Sequence, residues 1–194
     1  SLWTVCPPVT PPPFYTPVTG TISQNTTWTN ANSPYVVQGN VTVNSGVTLT
    51  VEPGTIVKFD SGASITMSTS SAMNAQGLLR AKIYFTSLKD DSVGGDTNGD
   101  RNATQPSSRD WGEIRFNINS RGILQNTILR YGSNSSRYAT VFNNGGNIDF
   151  VDSEISYYDF GFKQNLGTST ISYSFFRNNG NGTGFYINDG VANV

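Results

Sequence analysis

A chain of 194 residues is long enough for one domain with a real core and short for two. With 12 Lys+Arg against 13 Asp+Glu, a net charge of −1 and only 13% charged residues, it lacks the basic excess that a nucleic-acid surface needs. The absence of histidine removes His-dependent triads and His-ligated zinc, and the single cysteine, Cys6, excludes an internal disulfide and a thiolate metal cluster.

Residues 1–20 hold six of the nine prolines, at 7, 8, 11, 12, 13 and 17. Proline gives no hydrogen to a ladder and favours extended backbone, so this segment reads as an extended arm without its own core. Such a terminus is ordered only when something holds it down. The arm is therefore expected to pack on its own domain or to be donated to a neighbouring copy. Its apolar groups would be Leu2, Trp3, Val5, Cys6, Val9, Phe14, Tyr15 and Val18. No apolar run reaches the roughly 18 residues of a membrane span. The start Ser1-Leu2-Trp3, with no initiator Met or visible signal peptide, reads as a processed mature chain.

From about residue 35, short runs alternate with period two: Val41–Val43, Val47–Val51, Ile56–Phe59, Ile65–Met67 and Ile83–Phe85. No window offers an amphipathic helix. Apolar residues recur 18 apart at Val47, Ile65 and Ile83, and again at Leu49, Met67 and Phe85. Later the step lengthens: Ile123, Ile148 and Ile171 lie 25 and 23 apart, and Gly161-Phe162 returns as Gly184-Phe185 after 23. Periods near 20 predict stacked coils, hence an all-β parallel β-helix over residues 21–194. A sandwich shares the short strands and frequent turns, but not the vertical register.

The stretch GNVTVNSGVTLTVEPGTIVKF (39–59) resembles the opening coils of secreted right-handed parallel β-helix repeat proteins of bacteria and archaea. So does FTSLKDDSVGGDTNGDRNATQPSSRDWGEIRF (85–116), an acidic loop closed by Asp-Trp-Gly. LQNTILRYGS (124–133) and STISYSFFRNNGNGTGFYI (169–187) are similar to later coils of the same pectate-lyase-like surface proteins. The resemblance spans about four fifths of the chain. It implies a β-helix and a secreted or cell-surface setting, and no single activity. The richness in Ser, Thr, Asn and Gly suits that setting.

The acidic insertion, about residues 87–112, carries Asp90, Asp91, Asp96, Asp100 and Asp110, half of the ten aspartates. Asp96-Thr97-Asn98-Gly99-Asp100 sets oxygen groups at alternate positions around a glycine turn, a layout that suits the hard oxygen shell of calcium. An EF-hand is ruled out by Arg101 and Ser107 at the places of its glycine and bidentate glutamate. The expectation is a structural Ca2+ held by Asp90, Asp91, Asp96, Asn98, Asp100 and Asp110; the alternative is a solvated loop of Asx turns. Trp111 is expected to anchor the loop's return to the core.

No catalytic set is predicted. Asp149, Asp152, Glu154 and Asp159, with Arg130 or Lys163, are the carboxylates that a polysaccharide lyase or hydrolase would use, since glycosidases need no histidine. Outward-facing polar residues on an exposed sheet explain them as well. Nine aromatic residues crowd the last 40 positions. The phenylalanines are expected in the core, while Tyr157, Tyr158 and Tyr186 could offer a platform to surface glycans. Asn143, Asn144, Asn178 and Asn179 read as turn residues. Sequons at Asn25, Asn40, Asn102, Asn134 and Asn181 are compatible with glycosylation. A β-helix without caps is open at both ends. The reading is an extracellular structural protein whose partners are copies of itself, joined head to tail into a filament or surface layer through the arm. A carbohydrate-binding or carbohydrate-cleaving module is the alternative.

Overall fold

The computed structural model describes residues 14–133, 139–179 and 182–194. Its strands are β1 (Thr16–Ile22), β2 (Thr26–Trp28), β3 (Tyr35–Val43), β4 (Thr48–Val51), β5 (Ile56–Phe59), β6 (Ser64–Met67), β7 (Ala72–Gln76), β8 (Ile83–Ser87) and β9 (Ile114–Phe116). They continue as β10 (Arg121–Gln125), β11 (Thr127–Arg130), β12 (Val141–Val151), β13 (Glu154–Ser156), β14 (Phe160–Ser172), β15 (Phe175–Arg177), β16 (Thr183–Ile187) and β17 (Val191–Asn193). Every strand-to-strand pairing is parallel, and the chain winds as a β-solenoid of about 7 turns. Its only helix among the described residues is the 3-10 turn Asn30–Asn32.

Three faces run along the solenoid. The first stacks the start of β1 and of β3, then β5, β8, β11, β13 and β15. The second stacks the ends of β1 and β3, then β6, β9, the starts of β12 and β14, and β16. The third stacks β2, β4, β7, β10, the ends of β12 and β14, and β17.

Alternation puts one side chain of each pair inside, so coil after coil fills the same interior column. On the second face this column is Val41, Ile65, Ile114, Val141, Phe162 and Phe185. Aromatic rings close the later coils: Phe150 packs on Phe162 and Phe176, and Phe185 on both of those. The neighbouring column runs Val43, Met67, Phe116 and then turns polar at Asn143 and Gln164. Both polar side chains are fully buried. The Asn143 amide donates to the Thr168 carbonyl, to Ser169 Oγ and to Gln164 Oε1, and its oxygen accepts from the Gly145 and Gly146 amides. Asn143 is thus an interior ladder residue rather than a turn residue; Asn178, at φ 56°, is the turn residue expected.

The parallel β-helix is as predicted, but the early register differs. The true vertical neighbours of Val41, Leu49 and Val57 are Ile65, Met73 and Phe85, so the early coil steps are longer than the recurring spacing of 18 and unequal from face to face. Leu49, Met67 and Phe85, spaced by 18, sit on three different faces. The repeat of Phe162 at Phe185 is a true step, but Ile123, Ile148 and Ile171 do not stack: they pair with Asp149, Ser169 and Phe150.

Residues 1–13, with Leu2, Trp3, Val5, Cys6 and Val9 of the expected arm, lie outside the described residues. Of the rest, Phe14 is exposed and Tyr15 half-buried, whereas Val18 pairs with Val37 and packs on the core. The first coil therefore starts at Thr16, inside the proline-rich segment. Pro17 is accommodated because β1 pairs only with β3 among the described residues, which leaves its other edge without a ladder.

Candidate functional site

Between β8 and β9 the chain leaves the solenoid, from Leu88 to Glu113, and three buried groups hold this insertion down. Lys58 occupies an outward position between inward-facing Val57 and Phe59, yet it is fully covered because the loop folds over it. Its ammonium donates to the Asp90 carbonyl at 2.9 Å and the Gly95 carbonyl at 2.7 Å. Burial pulls its pKa below the ordinary lysine value, and the carboxylates of Asp90, Asp91 and Asp96 oppose that shift. Asp90 accepts from Thr86 Oγ1 at 2.6 Å and from the Ser92 amide, and it lies 3.6 Å from Arg130. Asp110 accepts from Ser87 Oγ at 2.7 Å and pairs with Lys89 at 2.9 Å. Trp111 then re-enters the core. It is fully buried, stacks on Phe59 at 4.1 Å and donates its indole N–H to the Arg130 carbonyl at 2.6 Å. Gly112 follows because the chain passes Ser64 there, and a Cβ would lie 2.0 Å from that hydroxyl.

Of the six residues read as metal ligands, the fold brings three carboxylates together. One oxygen each of Asp91, Asp96 and Asp100 lies within 4.8 Å of the others. Asp90 and Asp110 are set apart, each with protein donors. Asn98 sits beside Asp100 and donates its amide to Asp100 Oδ2 at 2.8 Å. Asp96 already accepts from the Asp100 and Arg101 amides, and Asp100 from Ala103, Thr104 and the Thr104 hydroxyl. These are the Asx turns of the alternative reading. The Thr104 hydroxyl bond, above all, holds Asp100 below the ordinary carboxylate range. Asp91 differs. Burial first, and then the Asp96 charge, hold it above that range, and its Oδ1 is buried without a hydrogen-bond partner. Asn98 Oδ1 is orphaned in the same way. Three carboxylates, one of them with an unpartnered oxygen, and the unpartnered Asn98 Oδ1 fit a hard cation in donor chemistry.

The other carboxylates do not converge. Asp149 pairs with Arg121 on the third face, Glu154 with Arg177 on the first, and Asp159 with Arg109 at the corner leading into β14. Asp152, at φ 50°, makes a turn. Tyr157 and Tyr158 do share a cleft of about 620 Å3 with Arg109, Tyr131, Asp159 and Asn178. Tyr157 stacks on Tyr131 at 5.1 Å, while Tyr158 is nearly fully buried. Tyr186 lies elsewhere, half-exposed on the second face. Among the sequons, Asn25, Asn40 and Asn102 are exposed; Asn134 and Asn181 lie outside the described residues.

Sequence reasoning missed Glu113 as well as Lys58. Glu113 stands one place before β9, faces outward and is 4% exposed. Its Oε1 accepts from Arg115 Nε at 2.6 Å, and its Oε2 is buried with no partner. Burial pushes its pKa up to about 7 against the pull of Arg115 and Lys163. A lone glutamate next to a strand carries no spacing signal that could have marked it.

No helix among the described residues is long and apolar enough to cross a membrane. Comparison of the chain with family models, with curated proteins and with solved structures finds no match. The chain is a parallel β-solenoid.

Proposed function

We propose that this chain is an extracellular structural unit that associates head to tail with copies of itself. One observation carries the reading: the seventh coil presents strands whose outer edges have no partner among the described residues, over an apolar layer. There β15 pairs only with β13, and β16 and β17 only with β14. Phe176 and Phe185 are half-buried on the core, and Phe175, Ile187 and Val191 are exposed at 61%, 41% and 58%. The first coil offers β1 and β2 on the same three-faced plan, each paired on one side. Open edges recruit strands, and one end meeting the other is a heterologous contact that does not close. The arm residues that precede β1 would add a donated strand. In this setting a calcium ion at Asp91, Asp96 and Asp100, with Asn98, is a structural clamp on the insertion.

The test is electron microscopy with sedimentation of the full chain at neutral pH. Seven stacked layers per face at about 4.8 Å each give an expected axial repeat of about 34 Å in a filament. Val191→Lys and Ile187→Lys, both on the exposed last coil, should leave the fold intact and abolish assembly. A monodisperse monomer at high protein concentration overturns the reading.

A further inference from the structure

At the corner where the first face ends, Tyr131, Tyr157 and Asn178 follow β11, β13 and β15, each two places after the paired residues Leu129, Ile155 and Phe176. All three have positive φ, at 66°, 56° and 56°, so the same corner repeats coil after coil. Tyr131 and Tyr157 stack at 5.1 Å and, with Asn178, line the cleft of about 620 Å3 against Pro106 of the insertion. Arg109 and Asp159 cancel each other in it at 2.8 Å. The two tyrosine hydroxyls and the Asn178 amide have no hydrogen-bond partner among the described residues. A ligand that fits is therefore neutral, brings flat apolar rings to the tyrosines and accepts hydrogen bonds. A polyproline helix meets all three needs, with its rings outside and its carbonyls unpaired. Its turn of about 9.3 Å matches the two coil steps from Tyr131 to Asn178, about 9.6 Å.

The chain holds such a segment. Residues 7–13, Pro-Pro-Val-Thr-Pro-Pro-Pro, carry no charge and set Pro8 and Pro11 one polyproline turn apart. They lie outside the described residues, and Phe14, where the description begins, is exposed. Five prolines in seven residues leave too few N–H groups for a ladder. A donated strand is thus confined to residues 1–6, and the prolines need another seat.

We propose, on the head-to-tail reading, that this cleft seats residues 7–13 of a second copy of the chain. Pro8 and Pro11 lie against the tyrosine rings, and the hydroxyls of Tyr131 and Tyr157 donate to the segment's carbonyls. Length decides between a copy's own arm and its neighbour's. The vertical column that opens Thr16, Tyr35, Val57 closes Leu129, Ile155, Phe176, so a copy stacked on the seventh coil puts its Thr16 one step beyond Phe176. From there Tyr157 is two steps back and two residues across, about 12 Å away. Within one subunit Thr16 lies about 20 Å from Tyr131 and about 25 Å from Tyr157 on the same geometry. Pro11 is five residues from Thr16, about 16 Å of polyproline chain. It reaches the neighbour's Tyr157 and falls short of both tyrosines in its own subunit.

The test is calorimetric titration of a synthetic peptide of residues 1–13, under reducing conditions, into the full chain carrying Pro8→Ser and Pro11→Ser, which empties the cleft of its own arms. The parent peptide should bind one per chain. A peptide with the same two serine substitutions should bind at least about tenfold more weakly. Tyr157→Asn in the chain puts a residue that tolerates positive φ at this exposed corner, so it should abolish binding and leave the unfolding midpoint unchanged. No binding of the parent peptide at millimolar concentration overturns the proposal, and filaments seen in the parent chain would then leave head-to-tail assembly standing without it. Equal binding of the two peptides, or binding that Tyr157→Asn leaves unchanged, overturns it too. A parent chain that never assembles, in a protein that still binds the parent peptide through Tyr157, overturns head-to-tail assembly and keeps the cleft as the seat of the arm.

Discussion

Replacing Trp111 tests how the insertion is tied to the solenoid. The side chain is fully buried, stacks on Phe59 at 4.1 Å and satisfies the Arg130 carbonyl at 2.6 Å. Trp111→Ala empties the ring's volume, which costs about 3–5 kcal/mol in a core that relaxes only partly. It also orphans a buried carbonyl, worth about 1 kcal/mol more. Trp111→Phe keeps a ring over Phe59 and loses the indole N–H, so its expected cost is only about 1–2 kcal/mol. Equilibrium denaturation followed by far-ultraviolet circular dichroism measures both. The damage should also be local, because solenoid coils couple mainly to their neighbours. Hydrogen exchange should therefore accelerate in β5, β8, β9 and β11, and hardly at all in β1 or β17. Trypsin should cut faster after Lys89, Arg101 and Arg109 in the alanine variant. A cost below about 2 kcal/mol for Trp111→Ala, under the range of a cavity left by a large ring, refutes this account of the tie. Phenylalanine as harmful as alanine refutes it too.

Glu113 gives stability a pH slope. Its folded pKa of about 7 lies above the ordinary value of 4.5, so the folded state holds the extra proton. Stability should fall as pH rises from about 4.5 to 7, by about 3 kcal/mol in total, and Glu113→Gln should remove that slope in a denaturation series. Phe162→Ala, in a fully buried column, should cost about 3–5 kcal/mol, while Phe185→Ala in the half-buried terminal coil should cost less than half of that. Adding calcium to chelator-treated protein should raise the unfolding midpoint and slow tryptic cleavage after Arg101, and Asp91→Asn should abolish both effects. An unfolding midpoint insensitive to calcium in the parent chain would remove the clamp. Lys58→Met should free the base of the insertion, read as faster exchange at the Ser92 and Gly95 amides.

The fold was legible because period-two runs and frequent turns recur along the chain, and Phe162 does return at Phe185. The spacing of 18 misled for a geometric reason. All three faces carry inward apolar residues at alternate places, and the loops between faces differ in length. Equal spacings therefore arise between residues such as Leu49 and Met67 that never stack. The acidic insertion announced itself by composition, and Asp91, Asp96 and Asp100 do gather. Asp90 and Asp110 did not join them, because the nearest donors, Thr86 with Arg130 and Ser87 with Lys89, are set by the coil beneath. Lys58 was invisible for a related reason. Its place in Ile56-Val57-Lys58-Phe59 marks it as outward, and only the tertiary path of the acidic loop, which begins after the next strand of that face, turns outward into buried.

The polar rungs Asn143 and Gln164 give the solenoid a phase. A column of valines and phenylalanines slides over its neighbours at modest cost, since apolar contact has no direction. Asn143 instead meets the Gly145 and Gly146 amides with its oxygen and the Thr168 carbonyl with its amide, and Gln164 reaches on to the Asp189 carbonyl with its own. Shifting either coil by one residue would turn these groups outward and strand their partners in a dry interior. The two rungs thus work like the key on a shaft: they add little grip, and they allow only one angle at which the last coils can be wound on.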